Sequence, residues 1–435
     1  MIEILSIFLT LFSLFLFSNF PLNFFLTKKK FSSLEISFNE SLIINIIINC
    51  NVLLFFSFIS VKLEQIFLFF SLFAIILIIL FYKEYFLLFK KNLLANLAFI
   101  TLFYALSIFI IKNAYLEWDG LAHWIFKSSV YFQGGGYKDL VGLPMDYYPH
   151  LGSYIWAYFW KNSLLQIEYS GRLFFIFIFM MSIFTIGNQL NKNFSKFDKI
   201  VLVSILIYLT TNTFLFGGYQ EYFIFFIFFC FSHFFKKFFI EKQNTSNIYL
   251  EFLLILTSNC ILWIKQEGFF YFFIINLVFL VHSKISNTNK IRYILIIISL
   301  VLIFYLIRYN FFGFFKFNED VVNNETLKNL NLIYLGSKVF IISKYFIITF
   351  FKYPIWILII FCFIYLKFKT SFFEYNKFVI SYLVITFTFI YLIFLNTTMD
   401  INWLIPLTLN RVLFATSGFV IFLCIELLNR LRIRV

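Results

Sequence analysis

Charge is scarce in this chain. Asp, Glu, Lys and Arg make up 13% of its 435 residues, roughly half the share of an ordinary soluble domain. A surface so poor in charge cannot hold a folded chain in water, and the soluble globular class is excluded. Proline (5) and glycine (14) are also few, so there is no collagen-like repeat, no flexible linker and no low-complexity tract. The five cysteines, Cys50, Cys230, Cys260, Cys362 and Cys424, all fall in apolar segments without CxxC or His-paired spacing. They indicate neither zinc nor a disulfide framework and read as small core residues. GxxxxGK[ST], a strand-borne GxGxxG, HExxH, GxSxG and a DxD pair are all missing, which removes the familiar nucleotide, zinc-peptidase and serine-hydrolase signatures. The Gly134-Gly135-Gly136 run has none of these contexts and reads as a hinge.

What is present is apolar length. Hydrophobic residues reach 62%, with 72 Phe, and mean hydropathy is +0.91. Runs near the spanning length of about 20 residues recur. The fold class expected is an all-α polytopic membrane protein forming one integral membrane domain over 1–435. About thirteen crossings are expected: 3–20, 41–61, 66–82, 93–113, 169–189, 200–216, 221–238, 248–264, 268–282, 293–310, 353–367, 378–395 and 411–428. The first run lacks a basic n-region and a small-residue cleavage site, so it is expected to stay as a crossing.

The net charge of +14 does not mark a nucleic-acid binder, because the lysines cluster in short loops, the pattern that orients membrane helices. Lys28, Lys29 and Lys30, then Lys83, Lys90 and Lys91, put the first and third loops in the cytoplasm. Lys192, Lys196 and Lys199, then Lys236, Lys237 and Lys242, then Lys284, Lys290 and Arg292 fall on the same side if two aromatic pieces do not cross: 151–163, read as an interfacial or re-entrant helix, and 334–351, read as interfacial. Lys367, Lys369, Lys377, Arg430, Arg432 and Arg434 follow suit. The outward loops are then 114–168, 217–220, 265–267, 311–352 and 396–410.

The 114–152 stretch, AYLEWDGLAHWIFKSSVYFQGGGYKDLVGLPMDYYPHLG, is a polar island that cannot sit in hydrocarbon. Asp119, His123 and Lys127 recur every four residues and share one helical face. Asp119 reads either as an N-cap on the wet face of an interfacial helix or as a general base beside an apolar wall. Glu221, after Gly217-Gly218-Tyr219-Gln220, and Glu267, in Lys265-Gln266-Glu267, stand at helix ends, where a local ion pair or dipole role competes with a functional one. Arg411 follows NTTMDINWLIPLTLN and is expected to open the last crossing, against the helix dipole, which calls for an anionic partner: a carboxylate or a phosphate. Arg172 is a weaker candidate of that kind. His150, after Tyr147-Tyr148-Pro149, reads as a proton shuttle or metal ligand, or as a structural histidine. The lysine-derived orientation puts Asp119, Glu221, Glu267, Asp400 and Arg411 on one outer side, where they can meet.

Taken in order, WDGLAHWIFKSSVYF, YYPHLGSYIWA, FGGYQEYFIFF, WIKQEGFF and WLIPLTLNRVLF resemble the bacterial GT-C superfamily of membrane glycosyltransferases, near the protein mannosyltransferase and aminoarabinose transferase group. The resemblance implies a GT-C-like core at 93–310 with outer loop 114–168, preceded by extra helices over 1–92 and followed by 311–435. It departs where those proteins pair Asp with Glu, since Asp119 is followed by Gly120. It implies sugar transfer from a polyprenyl-phosphate-linked donor, on the periplasmic or exterior face of a bacterial plasma membrane, to a glycan, lipid or protein acceptor. Asp119 would be the base, and Arg411 and Lys265 the counter-charges for the leaving phosphate. Glu221, Glu267, His123, Tyr148 and His150 would contact substrate, with a divalent metal left open. A polysaccharide polymerase or ligase, and a lipid or solute transporter, are the rival expectations.

Overall fold

The computed structural model describes residues 2–19, 38–112, 115–190, 194–212, 215–240, 248–283, 285–313, 332–367, 373–397 and 399–432. The loop lysines Lys28, Lys29, Lys30, Lys192, Lys242, Lys284 and Lys369, Arg434 and the outer segment 314–331 lie outside the described residues. Among those described, every regular element is helical. Apolar chains take this solution in lipid, because a helix satisfies its own backbone groups.

Helices α1 (Ile2–Ser18), α2 (Phe38–Phe58), α3 (Leu63–Leu80), α4 (Tyr82–Lys91) and α5 (Leu93–Lys112) lead to the polar island. There a five-residue π-helical turn, Gly120–Trp124, runs into α6 (Ile125–Phe132), followed by a 3-10 turn, Tyr137–Leu140, and α7 (Leu151–Lys161). Then come α8 (Tyr169–Asn188), α9 (Lys196–Thr210), α10 (Glu221–Ile240), α11 (Ile248–Leu262), α12 (Gly268–His282) and α13 (Asn287–Phe312). The chain closes with α14 (Leu332–Lys352), α15 (Pro354–Lys367), α16 (Phe373–Asn396), α17 (Ile401–Ser417) and α18 (Phe422–Arg432).

Among the described residues six helices are long and apolar enough to cross a membrane, or up to eight if each of two bent pairs is one span. The expected thirteen exceeds this, because several expected crossings are short helices such as α1, α11 and α12. Helix α8 is the axis: it is buried along its whole length and packs on α1, α2, α5, α7, α9 and α10. The first helices are thus part of the core. Helices α3, α5 and α13 keep most of their apolar side chains out of the buried interior, as a lipid-facing surface requires.

Of the two pieces expected not to cross, 151–163 takes the re-entrant alternative and 334–351 is not an interfacial helix. Helix α7 is nearly all buried from Leu151 to Phe159, wedged among α6, α8, α2 and α3. Eleven residues make only about 16 Å of helix, so it is an internal re-entrant piece. Helix α14 lies lengthwise along α16: Lys338 donates to the Thr397 carbonyl at 2.9 Å, and Phe350 meets Phe387 deeper in. It then turns through 90° at Pro354. Lysine counting could not see this bend, because no loop charge marks it.

Candidate functional site

Glycine contacts assemble the site. A Cβ at Gly120 would stand 2.3 Å from the Gly217 carbonyl oxygen, and the Glu117 amide donates to that same oxygen at 3.0 Å. Gly218, at φ +83°, turns the chain in the left-handed region that favours glycine. The WDG and GGYQE motifs therefore touch backbone to backbone. Arg172 fixes the turn from below: its guanidinium donates to the Phe216 carbonyl at 2.5 Å and pairs with Glu168 at 2.8 Å. The weaker arginine candidate is a brace.

Above the brace, side chains from four separate segments meet. Arg411 donates to Asp119 Oδ2 at 2.5 Å and stands 3.7 Å from Glu221 Oε1. Lys265 Nζ lies 2.9 Å from Glu221 Oε1, 3.5 Å from Glu267 Oε1 and 3.6 Å from Asp119 Oδ2. Tyr219 places its ring against the Arg411 guanidinium at 4.6 Å. Asp119, Glu221, Lys265 and Arg411 are all buried. Three carboxylates thus face two cations, a net of one negative charge.

Burial pushes the Asp119 carboxyl upward, but Lys265 and Arg411 outweigh it and hold the group below the usual carboxylate range. Burial works against the Lys265 ammonium, yet Glu221, Glu267 and Asp119 raise it above the usual lysine range. Burial lowers His123, only partly offset by Asp119. His123 Nδ1 and the second oxygens of Glu221 and Glu267 are buried without a hydrogen-bond partner among the described residues.

The helix boundaries differ from expectation at two of these residues. Arg411 does not open a helix; it sits ten residues into α17, which Asp400 caps by accepting from the Asn402 amide. Pro406 lies inside this helix, in the stretch 396–410 expected as an outward loop. The dipole argument falls away, and the anionic partners are Asp119 and Glu221. Asp400 stays at its cap. Asp119 is itself no N-cap: its backbone is helical and its side chain makes no capping bond. Nor is its face wet, since Lys127 is fully buried and donates to the Tyr148 carbonyl at 2.6 Å. That bond pins the loop whose Tyr148 ring stacks on Trp124 and meets His123 edge-on.

His150 points away from the cluster. It hydrogen-bonds Ser57 at 2.7 Å within a cage of Phe58, Tyr131, Tyr137 and Trp263. Burial holds it well below the usual histidine range, and Lys127 and Arg308 add to this. Among the described residues no group of three or more His, Cys, Asp or Glu side chains is arranged to hold a metal ion. In the cluster, Lys265 takes the point where a cation would bind, so the donor set does not fit a divalent metal.

Sequence reasoning missed a second cluster at the other end of α10. His233 Nε2 lies 2.6 Å from Glu40, which also pairs with Lys237 at 2.8 Å, and Lys236 pairs with Glu426 at 2.6 Å. A histidine inside a phenylalanine run was the available signal.

Fold and site define an integral membrane helical protein with a buried ion-pair cluster where the polar island, the start of α10, the turn before α12 and the interior of α17 meet. Compared with known family models, curated proteins and solved structures, the chain has no match.

Proposed function

We propose that the protein is a membrane glycosyltransferase that moves a sugar from a polyprenyl-phosphate-linked donor to an acceptor hydroxyl at the outer face of a bacterial plasma membrane. The observation that carries this reading is the meeting of Asp119, Glu221, Lys265, Glu267 and Arg411, drawn from positions 292 residues apart, with acceptor oxygens of Glu221 and Glu267 left over for ligand hydroxyls. The order of motifs, which resembles that of the GT-C superfamily, supports it.

In the resting cluster Arg411 and Lys265 are spent on carboxylates. An incoming donor phosphate competes for both cations, and as they turn to it Asp119 loses the attraction that holds its proton affinity down. The carboxylate then takes the acceptor hydroxyl's proton. The acceptor oxygen bonds to the anomeric carbon as the bond to the phosphate oxygen breaks, inverting the centre. Polyprenyl phosphate leaves as an anion against preorganised cations in a poorly hydrated site.

Membranes carrying the protein, given radiolabelled polyprenyl-phosphate-sugar and an acceptor extract, are expected to release polyprenyl phosphate. Asp119→Asn should cut release by about 10²–10⁴-fold, the usual worth of a positioned base, at unchanged protein level. Retained activity in that variant removes the base assignment; release from neither form removes transferase chemistry.

A transporter is the second reading, favoured by the two bent pairs, α14 with α15 at 90° and α17 with α18 at 51°. Discontinuous helices of that kind frame transport sites. Uptake or flipping of the labelled lipid without loss of its sugar would support it.

A further inference from the structure

One described cavity lies away from Asp119. It is an apolar groove of about 580 Å³ between α1, α4, α5 and α8, walled by Phe12, Phe15, Phe86, Phe99, Phe177 and Phe184. Its polar lining sits at one level. Asn39 opens α2, Asn92 and Asn96 stand at the start of α5, and Asn188 ends α8. The far ends of α5 and α8 lead to Asp119 and Arg172, so the groove's polar rim lies at the opposite end of the helices from the ion-pair cluster.

A smaller pocket of about 160 Å³ continues from that rim, sharing Asn92, Ala95, Phe184 and Asn188 with the groove and adding Lys196 and Lys199. Lys199 donates one of its three N–H groups to the Leu190 carbonyl at 2.9 Å, which holds the ammonium over the pocket. The nearby Asp198 is turned to the Ser195 amide in a capping box. Helix α4 lays Tyr82, Tyr85, Phe86 and Phe89 along the groove, as an amphipathic helix in the headgroup plane does.

We propose that groove and pocket form one binding site for an anionic phospholipid of the lysine-facing leaflet, with an acyl chain along the phenylalanine wall and the phosphate against Lys196, Lys199 and the asparagine rim. The apolar length and the cations are continuous, which fits a lipid and not a free phosphate: a soluble anion leaves the groove unfilled. The site stands apart from the proposed transfer chemistry and does not depend on it.

Native mass spectrometry of the full-length protein, delipidated in mild detergent and titrated with phosphatidylglycerol or phosphatidylcholine of matched chains, tests this. Preferential retention of one phosphatidylglycerol is expected, unaffected by excess glycerol phosphate. Reversing Lys196 and Lys199 to Glu should weaken retention by more than about tenfold, since each headgroup-level lysine contributes a factor of roughly five. Lys290→Glu, on the same lysine-rich side but away from the groove, should not. Ala95→Trp, which fills the junction of groove and pocket, provides a second variant should the double reversal melt early, and it should abolish retention of the lipid. Equal retention of both lipids, displacement by glycerol phosphate, or wild-type retention in a folded variant of either kind overturns the proposal.

Discussion

At the residue scale the excess of one carboxylate decides which substitutions the cluster tolerates. Asp119→Asn leaves two carboxylates facing two cations, so the fold should hold while chemistry fails. Arg411→Met leaves three carboxylates to one ammonium, and stranding buried charge costs about 3–5 kcal/mol. Thermal melting in detergent should therefore drop clearly for Arg411→Met and little for Asp119→Asn; equal drops would mean the cluster is not charge-limited. Proton linkage gives a second expectation. His123 and His150 both lie below the ordinary 6.5 in the fold. The unfolded chain binds more protons there, and stability falls as pH drops below 6.5. Asp119, held below 3.8, extends the loss below that pH. Lys265, raised above 10.5, contributes stability that is present below 10.5 and lost as pH rises beyond it. Melting temperature against pH should slope down on the acid side of 6.5, with a shallower slope in His123→Gln and shallower again when His150→Gln is added.

At the element scale the telling contact is Gly120 on Gly217. Gly120→Ala pushes a methyl into backbone that cannot step aside, and should lower both melting temperature and activity. Gly336→Ala, in α14 with nothing within 4 Å of the new carbon, should be neutral or stabilising by up to about 1 kcal/mol. Circular-dichroism melting of the two variants separates a packing requirement from a general dislike of substitution. The sequence was informative about the cluster because an ionisable residue in so apolar a chain needs a reason: Asp119, Glu221, Lys265, Glu267 and Arg411 were each visible. Helix boundaries were less so. Nothing at Arg411 distinguishes a start from an interior, since Pro406 breaks helices in water more reliably than it does among packed neighbours. The π-helical turn after Asp119 leaves no trace in residue type, and the burial of Lys127 depends on α7 closing over it, a tertiary event.

For the whole molecule, the helical membrane class follows from composition, while the count of spans does not. Short buried helices such as α7 and α11 are apolar enough to be taken for crossings or interface pieces, and only packing tells them apart. Orientation comes from lysine placement, and it is testable in cells. An impermeant thiol reagent should label Val141→Cys, exposed in the polar island, from outside, and should reach Thr288→Cys at the start of α13 only after permeabilisation. The five native cysteines are buried and should stay silent. The reverse pattern would turn the cluster to the cytoplasm and end the exterior-face proposal.

Gly418 closes against the Phe225 carbonyl, where a Cβ would stand 2.2 Å away, and this seats α17 on the helix that begins with Glu221. Seven residues, about 10 Å of helix, separate that seat from Arg411. A guanidinium carried on such a stem is aimed from its root, so the tolerance of the whole charge arrangement is set by one hydrogen-sized side chain about two helical turns from the charges it places.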